Sequence, residues 1–229
     1  LGLISDRDGT LWVWRGNGVE RRGSDGTVST IAVERPNQLL QTRDGRYWLA
    51  SEVLHRLERD AQGGWRAVEH WRPRRAHTRL LSLFEDADGA LWIATDGDGI
   101  WRLRPDSAPL RLGATEGLPS EAWEWVAISG QGAEAVAYAA LRVSNVYAEV
   151  ALIAFSADAL KRLPQPLAWR QIGRREGVIG PPVSSVTRPT VDVDADGRLW
   201  VAAGEGLALV DTLPWSAWSR IAAPVAEVW

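Results

Sequence analysis

A five-residue motif recurs four times along this chain of 229 residues, and it constrains the fold more than any other feature. The copies read Asp-Gly-x-(Leu/Tyr)-Trp and end at Trp12, Trp48, Trp92 and Trp200. Asp-Gly before a short apolar run is typical of a tight turn that leads into a β-strand, because glycine adopts positive φ without steric cost. Each copy therefore predicts a turn and a strand at the same point of a repeating unit.

The residues after each tryptophan predict a second strand. The run that begins at Trp92 passes through the glycine-rich turn 96–99 to another apolar run at 100–103, and the copy at Trp200 continues in the same way. The first three motif tryptophans are 36 and 44 residues apart. Units of this length with short antiparallel strands are typical of β-propeller blades of about 40 to 50 residues. The sequence predicts an all-β propeller with about five blades in this chain.

The stretch from residue 126 to residue 190 lacks the motif. A degenerate copy is predicted at 132–140, where residues 135–138 would occupy the strand. Residues 150–163 have a pattern that fits either a strand or a short helix, and the strand is favoured.

The chain contains 14 tryptophans, several times the ordinary number. Those that close the four motifs are predicted to pack between blades, because a large aromatic side chain can fill the wedge there. Trp123 and Trp125 follow a loop-like segment at 116–120. Packing is favoured for both, and ligand binding remains an alternative because exposed tryptophan often marks a binding surface.

Composition excludes several classes of function. The 26 basic and 29 acidic residues are scattered along the chain and give a net charge of −3, so we expect no nucleic-acid partner. There is no cysteine and there are only three histidines, so we expect no metal site and no cofactor. No apolar run is long enough to cross a bilayer, so we expect no direct membrane insertion of this segment.

An acidic segment before the last motif resembles the start of a calcium loop. Asp192, Asp194 and Asp196 alternate as such a loop requires, but Ala203 stands where its glutamate would be. An acidic approach to a hairpin turn is the favoured interpretation.

The basic segment from residue 70 to residue 79 is the best candidate for a binding site. Its members Arg72, Arg74, Arg75 and His77 could bind an anion or a carboxylate, because arginine presents a fork of donors to such groups. A solvated loop between blades is the simpler alternative and is favoured.

Residues 86–104 resemble the two-component regulator propeller repeat, with Asp-Gly-Ala-Leu-Trp-Ile-Ala-Thr followed by a glycine-rich turn and a second strand. The Glu-Gly-Leu-Pro-Ser segment at 116–120 looks like the loop that follows such a repeat. This resemblance implies the periplasmic sensor region of a bacterial histidine kinase or diguanylate cyclase. Family propellers usually have seven blades, so the resemblance allows this chain to be part of a larger one. It also implies a propeller at 1–221, and at 222–229 the start of a linker to an immunoglobulin-like domain.

Three functions follow from these observations. The resemblance favours a non-enzymatic sensor domain that binds a small molecule or a saccharide and that could form a homodimer. A propeller enzyme similar to virginiamycin B lyase is an alternative, although three histidines offer it little. A passive scaffold for protein partners is the other alternative.

Overall fold

Each sheet of this protein has a turn end, where its first strand connects to its second, and a loop end, where it connects to the neighbouring sheet. The computed structural model describes residues 2–141, 152–173, 191–194, 196, 198–203, 206–210 and 213–218. Within these residues, nineteen strands form five antiparallel sheets. Sheets 1 to 4 have four strands each, and three strands of sheet 5 are described, so the predicted β-propeller with about five blades is confirmed.

The strands of each sheet follow one another in chain order. Sheet 1 consists of β1 (Gly2–Ser5), β2 (Leu11–Arg15), β3 (Gly18–Arg22) and β4 (Val28–Ala32). Sheet 2 consists of β5 (Gln38–Gln41), β6 (Tyr47–Ala50), β7 (Leu54–Arg59) and β8 (Trp65–Trp71). Sheet 3 consists of β9 (Leu80–Glu85), β10 (Leu91–Thr95), β11 (Ile100–Arg104) and β12 (Ser107–Leu112). Sheet 4 consists of β13 (Trp123–Ser129), β14 (Val136–Leu141), β15 (Leu152–Ser156) and β16 (Trp169–Ile172). Sheet 5 consists of β17 (Val191–Val193), β18 (Leu199–Ala203) and β19 (Gly206–Val210).

Short helices lie between some of these strands. Three 3-10 helices span Ala114–Glu116, Gly132–Glu134 and Ala157–Arg162, and one helical turn spans Trp215–Trp218. None of the described helices is long and apolar enough to cross a membrane.

The Asp-Gly motif forms the same turn in sheets 1, 3 and 5. An aspartate six residues before the tryptophan accepts backbone N–H bonds on one carboxylate oxygen and the indole N–H on the other. The pairs are Asp6 with Trp12, Asp86 with Trp92 and Asp194 with Trp200. We call this arrangement the turn lock. The acidic approach to a hairpin turn predicted around Asp194 is thus confirmed.

Sheet 2 departs from this arrangement because Thr42 stands where the others have aspartate. The hydroxyl of Thr42 bonds to the Asp44 carboxylate and the Arg46 carbonyl within the turn. No hydrogen bond joins Thr42 to the indole of Trp48, which packs edge-on against His70 instead, at 4.7 Å between ring centroids.

The core is divided into layers between successive sheets. Buried Trp12 lies in the layer between sheets 1 and 2, Trp48 between sheets 2 and 3, and Trp92 between sheets 3 and 4. The predicted packing of these three tryptophans is confirmed. Trp200 occupies the same position of sheet 5 but is only half-buried.

The turn ends of sheets 1 to 3 are joined by two arginines, one that follows Asp6 in sheet 1 and one that follows Thr42 in sheet 2. The Arg7 guanidinium donates to the carbonyl of Arg43 in sheet 2 at 2.9 Å. Arg43 in turn reaches sheet 3, where its guanidinium donates to the carbonyls of Asp86 and Ala87 and its backbone N–H donates to Glu85. These bonds fix the relative position of neighbouring sheets at this end.

Sheet 4 confirms one sequence prediction, and both alternatives weighed for residues 150–163 occur within that stretch. Residues 136–138 of the degenerate copy lie in β14, after a 3-10 helix at Gly132–Glu134. Of the ambiguous stretch 150–163, residues 152–156 form β15, and the 3-10 helix Ala157–Arg162 follows. Residues 150 and 151 lie outside the described residues.

The predicted domain boundary also falls outside the described residues. The described sheets extend to Val210, within the segment 1–221 expected to form the propeller. Residues 222–229, expected to begin a linker, are among those not described.

Candidate functional site

The candidate site is the segment 72–79, which connects β8 of sheet 2 to β9 of sheet 3 at the loop end. We call it the arginine loop. The buried carboxylate of Asp98, in the turn between β10 and β11, accepts the backbone N–H of Arg74 at 2.9 Å and that of Arg75 at 3.4 Å. A turn of sheet 3 therefore fixes the backbone of the loop.

A second set of bonds fixes the end of the arginine loop. The backbone N–H of Arg79 donates to the Asp96 carboxylate at 2.7 Å, and its carbonyl accepts the Asp96 N–H at 3.1 Å. The Arg79 guanidinium donates to the side-chain oxygen of buried Asn37 at 2.6 Å. The loop is thus fixed to sheets 2 and 3 at both of its ends.

Asp98 itself belongs to a charged cluster that reaches toward sheet 4. Its other oxygen accepts the Arg111 guanidinium at 3.2 Å, and Arg111 also pairs with Glu116 and Glu121. Burial lowers the pKa of Arg111, but hydrogen bonds and charges from Glu121 and Asp98 outweigh burial and raise it overall. Arg111 therefore stays charged. The Asp98 carboxylate is bound by Arg111 through one oxygen and by the backbone of the arginine loop through the other.

The arginine side chains of the loop differ in what they contact. Arg72 forms a bidentate ion pair with Glu69, at 2.6 and 2.7 Å. The Arg74 guanidinium lies 5.4 Å from the ring centroid of Trp101, and Arg75 donates to the Gly97 carbonyl at 3.3 Å. Among the described residues, neither Arg74 nor Arg75 has a carboxylate partner, so no ion pair neutralises their two exposed positive charges.

His77 is the exposed residue near the tip of the loop. Its φ of 61° lies in the left-handed region, which is uncommon for a residue other than glycine. His77 lies in the same loop as the three arginines, and among the described residues no hydrogen bond or ion pair joins its side chain to theirs.

The two tryptophans expected at the site have different surroundings. Trp123 is completely buried between sheets 3 and 4, and its indole donates to the Ser120 carbonyl at 3.0 Å. Its role is packing, because no part of its ring reaches the surface to contact a ligand. Trp125 is half-buried and packs against the core between sheets 4 and 5. A bulge between the two residues turns them toward different layers.

The residues that hold the loop were not singled out from the sequence. Segment 96–99 was interpreted only as a hairpin turn, yet Asp96 and Asp98 fix the arginine loop. Propeller topology gives one signal that points to Asp96 and Asp98. The turn between the second and third strands and the connection between sheets lie at the same end of a propeller blade.

A second cationic surface lies at the opposite, turn end of sheet 2. It is a groove of about 430 Å³ whose lining includes three arginines and one glutamate. The lining residues are Gly45, Arg46, Tyr47, Arg56, Leu57, Glu58, Arg59 and Trp65. Arg56 pairs with Glu58, and the Arg59 guanidinium lies 4.5 Å from the ring centroid of Trp65. Much of the charge in this groove is already engaged.

The described residues contain no group of three histidine, aspartate or glutamate side chains that could hold a metal ion.

Comparison with known families gives a match that begins at residue 76, near the end of the arginine loop. The model of a family described as "two component regulator propeller" matches residues 76–97, from the arginine loop through the turn lock of Trp92. A search of curated proteins found no match.

Several solved structures are similar to the chain. One extracellular domain of a hybrid two-component system from Bacteroides thetaiotaomicron has a TM-score of 0.65 and 16% identity, covering 91% of this chain and 29% of that one. A second such domain from the same organism has a TM-score of 0.57 and 18% identity, covering 87% and 26%. A gluconolactonase from Xanthomonas campestris has a TM-score of 0.58 and 20% identity, covering 90% and 72%.

At these identities the similarity shows the fold alone. The chain spans less than a third of the length of the extracellular domains that it resembles. The matched segment contains the first two strands of sheet 3 and the turn lock between them. Residues 76–97 match the two-component regulator propeller repeat, and the chain around them folds as a β-propeller.

Proposed function

We propose that this chain is part of the extracytoplasmic sensor region of a bacterial transmembrane signalling protein. The family match at 76–97 and the extracellular two-component domains of the same fold support this proposal. The sensor would lie in the periplasm and would pass a signal to a cytoplasmic output module, either a histidine kinase or a diguanylate cyclase.

Within that role, the arginine loop would bind the ligand. The observation that carries this assignment is the pair Arg74 and Arg75, exposed and without a carboxylate partner among the described residues while Asp98 fixes their backbone. A guanidinium group binds carboxylates through paired, charge-assisted hydrogen bonds. A backbone held in advance lowers the entropic cost of binding. We therefore expect a small molecule or a saccharide that carries a carboxylate.

Isothermal titration with three probes tests the ligand class. Glucuronate and glucose differ in a carboxylate, and benzoate has a carboxylate without a sugar. We expect glucuronate to bind at least about ten times more tightly than glucose, since charged hydrogen bonds contribute about 1.5–3 kcal/mol. If only glucuronate binds, the ligand is a saccharide acid. If benzoate binds as tightly as glucuronate, the carboxylate is the recognised group. Equal affinity for glucose and glucuronate would overturn the assignment.

A double variant tests the site. Arg74→Gln with Arg75→Gln should weaken glucuronate binding about tenfold or more, because both charges are lost. Arg59→Gln is the matched control, since Arg59 belongs to the groove at the other end of sheet 2. If Arg59→Gln weakens binding and the double variant does not, the ligand binds in the groove and the loop is not the site.

The location has its own test. Alkaline phosphatase is active only outside the cytoplasm, so its fusion to the end of this segment in the intact protein should be active in cells. An inactive phosphatase fusion in the presence of an active cytoplasmic reporter at the same position would contradict an extracytoplasmic sensor.

We further propose that this segment binds and does not catalyse. His55 contacts Ser51 within sheet 2, His70 packs on Trp48, and His77 lies in the arginine loop. Each of these histidines has different neighbours, which supports a binding role over the shared centre that a lyase would use.

A further inference from the structure

Arg79, the last residue of the arginine loop, is a half-buried cation whose charge no ion pair balances. Among the described residues, no carboxylate pairs with its guanidinium, and its Nε is buried without a hydrogen-bond partner. By contrast, the half-buried guanidinium groups of Arg102 and Arg111 each pair with a buried aspartate. An arginine is seldom buried unless a negative group accompanies it, and a buried donor without an acceptor calls for an explanation. Arg79 therefore has both the charge and the donors to bind an anion.

Asn37 holds the guanidinium of Arg79 in place. Asn37 is 2% exposed, and its side-chain oxygen accepts the bond from Nη2 of Arg79 at 2.6 Å. Its backbone N–H donates to the carbonyl of Ala50 and its side-chain amide to the carbonyl of Leu80, both at 2.8 Å. A neutral amide orients the guanidinium without cancelling its charge. The charge of Arg79 thus stays available at a fixed position.

A turn within the arginine loop brings Arg79 close to Arg75. The backbone N–H of Thr78 donates to the carbonyl of Arg75 at 3.4 Å, and His77, the third residue of the turn, has a φ of 61°. The Cα atoms at the ends of a β-turn are less than about 7 Å apart, and the next Cα follows after about 3.8 Å. The Cα atoms of Arg75 and Arg79 are therefore within about 11 Å of each other.

We propose that the ligand of the arginine loop is a dicarboxylic acid, with one carboxylate bound by Arg74 and Arg75 and the other by Arg79. This inference rests on the proposed function and adds a second anionic group to the ligand. Asp98 fixes the backbone at Arg74, and Asp96, in the same turn of sheet 3, fixes it at Arg79. The spacing between the two cationic positions is thus set before binding, which lowers the entropic cost of binding an acid of matching length.

Isothermal titration with glucarate and gluconate tests the second carboxylate. Both are open-chain sugar acids with the same number of carbons, but glucarate carries a carboxylate at each end and gluconate at one end only. Glucarate should bind at least about ten times more tightly than gluconate, because its second carboxylate accepts charge-assisted hydrogen bonds. Equal affinity for the two acids, or no binding of either, would overturn the inference.

Arg79→Gln tests which residue binds the second carboxylate. This variant should weaken glucarate binding about tenfold, to the level of gluconate, and should leave gluconate binding unchanged. Arg35→Gln is the control, because Arg35 is an exposed arginine at the same end of sheet 2 whose charge is paired with Glu52. It should change neither affinity. Equal weakening of both acids by Arg79→Gln would mean that Arg79 only supports the loop, and the inference would fail.

Two further measurements separate binding from folding and this inference from the function on which it rests. Arg79→Lys keeps the charge without the planar fork of donors, so it should retain part of the preference for glucarate, and circular dichroism should show the same fold for both Arg79 variants. If glucuronate binds through Arg74 and Arg75 while glucarate has no advantage over gluconate, this inference alone is wrong. If glucuronate does not bind, the proposed ligand site is wrong and this inference falls with it.

Discussion

The carboxylate of Asp86 accepts a 2.8 Å hydrogen bond from the indole nitrogen of Trp92, six residues later in the chain. Arg102, from the neighbouring strand, donates to the same carboxylate oxygen at 3.0 Å and lies over the Trp92 ring. Asp86 and Trp92 are both buried. This contact joins the turn, the second strand and the third strand of sheet 3, so its loss should affect the whole sheet.

Replacement of Asp86 should be strongly destabilising. Asp86→Ala leaves the Trp92 indole without its acceptor and leaves the partly buried Arg102 with only the exposed Asp88, 3.6 Å away, and breaking such a buried pair typically costs about 3–5 kcal/mol. Asp88→Ala changes an exposed aspartate in the same turn and should cost under about 0.5 kcal/mol. Chemical denaturation of both variants checks this expectation. A loss for Asp86→Ala no larger than that for Asp88→Ala would show that the turn lock contributes little.

Sheet 2 can be given the lock that it lacks. Thr42→Asp places a carboxylate where sheets 1, 3 and 5 have one, six residues before Trp48. The new bond to the indole should stabilise the protein by about 0.5–1.5 kcal/mol, the usual net contribution of a hydrogen bond. Thermal unfolding measures the gain. Thr42→Asn, which keeps the size without the charge, should give less, and an equal gain would assign the effect to turn preference alone.

Acid should weaken the turn locks. Burial raises the pKa of Asp86, but hydrogen bonds from Trp92, Ala90 and Arg102 outweigh it and lower the pKa below the ordinary 3.8. For Asp194, chiefly the Trp200 indole lowers the pKa to about 2. A lowered pKa in the folded state means that the stabilisation is complete above the unfolded-state pKa and is lost as pH falls through the folded one.

The titration of these two carboxylates should therefore leave the unfolding temperature unchanged at neutral pH. The unfolding temperature should decrease as the pH is lowered from 3.8 toward about 2. Thermal melts at a series of pH values measure this fall. The Asp86→Ala variant should show a smaller fall than Asp88→Ala, because it has lost one of the groups that titrate. Identical acid dependence in the two variants would mean that other carboxylates cause the fall.

The hydrogen bonds from Arg43 of sheet 2 to the turn of sheet 3 should also contribute to stability. Arg43→Ala removes guanidinium bonds to two carbonyls of the next sheet and should cost about 1–2 kcal/mol. Arg46→Ala, in the same turn, removes only an exposed ion pair with Asp44 and should cost under about 0.5 kcal/mol. Denaturation curves compare the two. Equal losses of stability in the two variants would show that Arg43 stabilises the protein through contacts within its own sheet.

The sequence predicted the fold well because the repeat is local. Turn and tryptophan lie within seven residues, so a pattern such as 86–92 shows both the turn and the strand that follows. Sheet 4 was harder to predict because its second strand, β14, follows a 3-10 helix and lacks the motif tryptophan. Its core relies on alanines such as Ala137 and Ala139, which carry little strand preference.

The candidate site was less predictable because its contacts are distant in sequence. Arg74 and Asp98 are 24 residues apart, and only the arrangement of two sheets brings them together. Trp123 and Trp125 could not be separated by spacing, since strand alternation places residues two apart on one face. The bulge between them changes that alternation and buries Trp123 in a different layer from Trp125.

The turn lock also bears on how such a chain can lengthen or shorten. Asp86 and Trp92 belong to one stretch of seven residues, so a duplicated gene segment would carry the acceptor and the donor together. The side chains that fill the first three layers likewise come from positions repeated in sheets 1 to 3, as Val19, Leu54 and Ile100 show. A copied sheet would therefore fit beside its parent without compensating substitutions elsewhere, and the number of sheets could change in a single genetic event.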